Sequence, residues 1–143
     1  MNWEAIQAEL GRAFRVVSDD PEQFVVAVTL PVQGTEHSQE ISLKPTTLDT
    51  VPWLAMISPV ASGAQLDLAG VLAIQDHVLL GALVVRGEVL LLRHGIAMPP
   101  LTPEAARWNV GVFGRTAMKI RLNAPRAKRS AAAAHAHYTE DEY

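Results

Sequence analysis

The segment Val78–Met98, VLLGALVVRGEVLLLRHGIAM, is the longest nearly uninterrupted apolar stretch of the chain and reads as a β-hairpin. Two runs, Leu79–Val85 and Val89–Leu92, flank the pair Arg86-Gly87, and a glycine in a two-residue connection supplies the positive φ that tight hairpins need. The runs do not alternate. Val84-Val85 and Val89-Leu90-Leu91-Leu92 place apolar groups on both faces, so the expectation is a pair of strands in mid-sheet with other elements covering each side.

On either side of this hairpin the spacing changes to that of helices. Upstream, Ala64–Asp76 (AQLDLAGVLAIQD) is apolar nearly all round: Ala69, Gly70 and Ala73 form a small side with Leu66, while Leu68, Val71 and Leu72 form a larger one that asks for a second partner. Downstream, Thr102 suits an N-cap, Pro103 a first helical position and Glu104 the positive helix end. From there Ala106, Val110, Phe113, Ala117 and Ile120 fall on one stripe, which is expected to face the sheet. Trp108 and Val112 lie on the far side among Arg115, Lys119 and Leu122, and Gly111 and Gly114 suggest a close approach of the helix to its neighbours.

The first half begins with an amphipathic helix whose apolar positions are Trp3, Ile6, Leu10 and Phe14. Asp19-Asp20-Pro21 is turn chemistry that separates β-segments, and Gln23–Leu30 (QFVVAVTL) is a strand rich in β-branched residues. Pro31–Ser38 reads as a polar loop around Gly34. Glu40–Pro45 alternates as a half-exposed strand, and Thr50–Ala61 (TVPWLAMISPVA) is a third strand placed at an edge, or bulged, because Pro52 and Pro59 donate no ladder hydrogen bond. After Pro125 apolar periodicity ceases, so residues 1–124 read as one α+β domain and residues 125–143 as a disordered tail.

Composition narrows the function classes. The 143 residues carry a formal charge of −3, which argues against a nucleic-acid partner, since neutralising phosphates takes an excess of Lys and Arg. Cysteine is absent, which removes disulfides, thiolate metal sites and a thiol nucleophile and suits a cytoplasmic protein. Glu4 and Glu9 stand where an export signal would be apolar, and no run is long enough for a membrane span. No glycine-rich phosphate loop is present. His37, His77 and His94 have no nucleophile and orienting carboxylate in a recognised motif, Asp76-His77 reads as a helix-end pair, and His135-Ala136-His137 lacks the further ligands of a metal site. The expectation is therefore a protein with no cofactor, no metal and no catalytic residue.

The inferred order, α-β-β-β-α-β-β-α, and the local text LAGVLAIQD (68–76), LLGALVVRGEVLLL (79–92) and LTPEAARW (101–108) resemble the YbjN-like and type III secretion chaperone-like group of small bacterial α+β proteins. The resemblance covers Leu66–Leu122 best, with the first half agreeing in layout. It implies a curved antiparallel sheet packed by helices, commonly homodimeric, that binds segments of other proteins without chemistry. On the residues themselves, the interface candidates are Leu68, Val71 and Leu72 on the second helix and Trp108 and Val112 on the third. The alternative is a small-ligand sensor or regulatory domain, with a pocket between sheet and third helix and Arg107 or Arg115 as anion anchor.

Overall fold

In a computed structural model, which describes residues 3–20, 22–62, 68–76 and 78–137 and the side chains of these except 68 and 124–137, the chain forms three helices and six strands. Helix α1 spans Trp3–Ala13; strands β1 to β4 span Arg15–Asp20, Gln23–Val32, Thr35–Leu48 and Val51–Ser62. Helix α2 (Leu68–Gln75), strands β5 (Ala82–Arg86) and β6 (Val89–Ala97) and helix α3 (Pro103–His137) follow. The strands make one curved antiparallel sheet in the order β1-β2-β3-β4-β6-β5. The expected α+β class is present, with one strand more than the sequence shows.

The additional strand is β1. Its only apolar residues are Val16 and Val17 and it ends in Asp19-Asp20, so nothing in its own text separates it from a turn. It forms because β2 offers a free edge, and it pairs there through a bulge between Val16 and Ser18. The expected loop at 31–38 shrinks to the two-residue turn Gln33-Gly34, both at positive φ, and the polar residues around it continue the β2–β3 ladder to Val32↔Thr35.

Strand β4 is interior, not an edge: it pairs with β3 on one side and β6 on the other. Its prolines are absorbed locally. Pro52 lies near the strand's start, where its carbonyl accepts from the Met98 N–H at 2.9 Å, and Pro59 sits beside the bulge between Pro59 and Ala61. The β5–β6 hairpin turns at Gly87-Glu88, one residue later than expected, with Arg86 paired to Val89 and Gly87 at φ 63°. Only β6 lies in mid-sheet; β5 is an edge strand.

Helices cover one face of the sheet. Phe24, Val26, Val28, Ile41, Leu43, Leu54, Met56, Leu90 and Leu92 project to that face and are buried against Ile6 and Leu10 of α1 and the α3 stripe Ala106, Val110, Phe113, Ala117 and Ile120. The stripe was legible because all five positions recur at helical spacing. Thr102 caps α3, its Oγ1 accepting from the Ala105 N–H at 3.0 Å. Gly114 brings the helix so near the sheet that a Cβ there would lie 2.6 Å from Val28 Cγ2.

Among the described residues no helix lies on the opposite face, contrary to the expectation of cover on both sides. The two-sided apolar character of the hairpin has a lateral cause: Leu91, directed away from the helices, is buried between its ladder partners Pro59 and Val84. One rung of that face, Ser18-Val25-Ser42-Ile57-Arg93-Ala82, crosses all six strands.

Candidate functional site

The sequence-derived interface residues separate on folding. On α2, Val71 packs against the core with Ile74, whereas Leu72, one step and about 100° further round the helix, is 61 % exposed. The Leu68 side chain lies outside the described residues. Gln75, nearly one turn after Leu72, joins α2 to the sheet edge: its Oε1 accepts from the Leu83 N–H of β5 at 2.7 Å. That bond shows Leu83 presenting its main-chain donor outward, so by ladder alternation Val85 does likewise. Val85 is exposed too, and Leu79, between α2 and β5, is 99 % exposed. The sequence reading missed Leu79 and Val85 because it assigned both to a covered strand; a β5 beginning after Gly81, whose φ is +89°, leaves Leu79 outside the strand, and the edge position of β5 exposes Val85.

The two sheet edges differ in chemistry. On β1 the bulge and the aspartates at 19 and 20 oppose pairing with a further strand, as edge charges and bulges do in general. Strand β5 pairs with β6 without a register shift and carries Leu83, Val84 and Val85 in its centre. Among the described residues it carries neither bulge nor acidic side chain, and its outward N–H groups are engaged at Leu83 by Gln75.

On α3, Trp108 is 66 % exposed and Val112 half-buried. Arg107 is engaged by Glu9 of α1 at 2.9 Å, and Glu9 also accepts from Arg12 at 2.6 Å. Arg107 thus ties α1 to α3 on the surface. Arg115 is exposed, with Nη1 3.5 Å from where a Cβ on Gly111 would stand. Neither arginine points into a space between sheet and helix, whose middle is filled by Phe113 and by the contact of Gly114 with Val28 and Ile41.

The space between sheet and α3 does hold a buried polar network that the sequence reading did not find. Gln39 accepts from Arg121 Nε at 2.6 Å through Oε1 and donates through Nε2 to Ser58 Oγ at 2.7 Å and the Pro59 carbonyl at 2.8 Å. Ser58 Oγ donates onward to the Glu40 carbonyl at 2.6 Å. Gln39 and Ser58 are almost wholly buried, and these bonds satisfy them. The signal was the strand phase, since Gln39 alternates with Ile41 and Leu43.

His94 on β6 stacks on Phe113 of α3, with ring centroids 6.5 Å apart and planes at 24°. Desolvation by burial lowers its pKa below the ordinary value near 6.5. The neutral ring is therefore favoured by folding, so its contribution to stability is complete above about pH 6.5 and is lost as pH falls through the lower folded-state value. Urea midpoints should fall between about pH 7 and about pH 5, and the fall should shrink in His94→Gln; an identical fall in both would assign the acid sensitivity elsewhere.

His77 lies outside the described residues, as do the side chains of His135 and His137. Among the described residues no three His, Asp or Glu side chains converge as a metal site would require, and no helix is long and apolar enough to cross a membrane. A groove of about 710 Å³ opens on the uncovered face between Asp20, Gln23, Lys44, Ala55 and Ile57. Comparison with protein-family models, with curated proteins and with solved structures gives no match.

Proposed function

We propose that the protein is a noncatalytic, homodimeric protein-binding module of the bacterial cytoplasm, similar in kind to secretion chaperones and YbjN-like proteins. The observation that carries this reading is the apolar end formed by α2 and β5, where Leu72, Leu79 and Val85 are exposed beside the sheet edge that lacks bulge and acidic protection. A second copy seated there covers these side chains and meets the outward main-chain groups of Val85, a route open to unguarded edges. The chain's lack of cysteine suits a reducing compartment.

Light scattering tests it. The mass should be close to twice the 15.5 kDa of the chain, and Leu72→Asp or Val85→Lys should each give a folded monomer. Trp108→Ala, on a different helix, should keep the dimer. A monomeric parent protein would overturn the reading.

A further inference from the structure

The outer side of α3 carries a row that neither the core nor the α2–β5 end uses. Trp108, Val112, Arg115, Lys119 and Leu122 follow one another at intervals of four and three residues and so lie along one stripe. Trp108, Arg115 and Lys119 are exposed, Val112 and Leu122 half-buried. After Glu104 every Asp and Glu is missing from α3, and among the described residues no carboxylate pairs with Arg115 or Lys119. The row is thus apolar at Trp108 and Val112, cationic at Arg115 and Lys119, and apolar again at Leu122.

One segment of the chain has the complementary order. Residues 138–143, outside the described structure, read Tyr-Thr-Glu-Asp-Glu-Tyr: an aromatic, three carboxylates and an aromatic. The lengths agree as well. Trp108 to Leu122 spans roughly 21 Å along a helix, and six extended residues span roughly 20 Å.

We infer that the outer stripe of α3 is the docking site for the acidic segment 138–143 of a second copy of this chain. Tyr138 and Tyr143 cover the apolar ends, and Glu140, Asp141 and Glu142 neutralise Arg115 and Lys119. The segment belongs to the other copy for a reason of reach. From His137 back to Lys119 is about 27 Å along the helix and to Trp108 about 43 Å, whereas the six residues extend only about 20 Å. Two exposed ion pairs bind weakly between free molecules, but within a dimer they form without a separate association step. The inference rests on the dimer proposed above and names a second contact within it.

Trp108 is the reporter, because it is the strongly exposed tryptophan, and its emission is obtained as the difference between the full chain and Trp108→Phe. Glu140→Gln, Asp141→Asn and Glu142→Gln together should move that emission several nanometres to the red, as should Arg115→Glu with Lys119→Glu, while scattering still reports a dimer. Salt at about 0.3 M should have the same effect on the parent. Joining the Arg115→Glu and Lys119→Glu changes to lysines at 140–142 should restore the emission. A dimer whose Trp108 emission ignores these charges overturns the inference and leaves the dimer standing. The monomeric Leu72→Asp chain should show the red-shifted emission; tail-sensitive emission in any monomer would place the segment in its own chain and overturn the inference. So would equal restoration of the tail-neutralised protein by hexaglutamate or duplex DNA and by the peptide of residues 138–143.

Discussion

Replacing Gly114 with Leu should leave no cooperatively folded protein, and even Ala there should cost up to about 2 kcal/mol net. A helix interior gains about 1 kcal/mol when Gly becomes Ala, so the sign depends on what the new methyl meets. At Gly114 it would lie 2.6 Å from Val28 Cγ2, 2.9 Å from Ile41 Cδ1 and 3.0 Å from Val28 Cβ. Ile41 could swing its terminal methyl aside, but Val28 is β-branched and seated on an interior strand, with one preferred rotamer and little room to yield. Overpacking of this kind costs typically about 1–3 kcal/mol, which exceeds the helix gain. Gly111 supplies the control. Its added Cβ would meet only Arg115 Nη1 at 3.5 Å and Phe14 Cζ at 3.8 Å, so Gly111→Ala should be neutral or stabilise by up to about 1 kcal/mol. Urea unfolding of the two alanine variants checks the opposite signs; equal shifts would show that helix propensity, not the approach to the sheet, governs both sites.

Phe113→Ala should remove about 3–5 kcal/mol, the range for a fully buried phenylalanine and a large share of the stability of an ordinary domain. The ring sits at the centre of the α3 stripe, and its loss opens a cavity that the interior strands are poorly placed to fill. Since the same ring covers His94, the variant should also be less acid-sensitive: water entering beside the imidazole relieves the desolvation that lowers its pKa. Measuring the urea midpoint of Phe113→Ala near pH 7 and near pH 5 gives both answers. A loss under about 1 kcal/mol would mean that the core closes over the gap.

Both predictions depend on residues whose positions were partly readable beforehand. The inward stripe of α3, the cap at Thr102 and the α1 pattern at Ile6 and Leu10 follow from helical spacing, which is a property of the segment alone. Where the fold departs from expectation, a neighbour decides. Strand β1 exists by pairing with β2, and the polar text around Gln33-Gly34 is extended because the facing strand is. Pro59 is tolerated inside the sheet because a bulge lies beside it and Gln39 engages its carbonyl. The interface candidates show the same limit. Spacing grouped Val71 with Leu72, but the helix turns Val71 inward and Leu72 outward, and no periodicity distinguishes a residue that packs within its own chain from one left free.

The strand order carries a consequence for how the molecule comes apart. Strands β1 to β4 form successive hairpins, and β5–β6 forms another, so every sheet contact but one joins neighbours in the chain. The exception is β4 against β6, a seam running from Trp53↔Ala97 to Ser62↔Val89. Each half can zip locally; the seam, together with α3 laid across β2, β3 and β4 and against α1, makes them a single cooperative unit. Amide exchange along Leu54–Ser58 and Leu92–Ile96 should therefore report the global opening of the molecule, while the Gln33-Gly34 tip and the outer strands exchange through smaller, independent fluctuations.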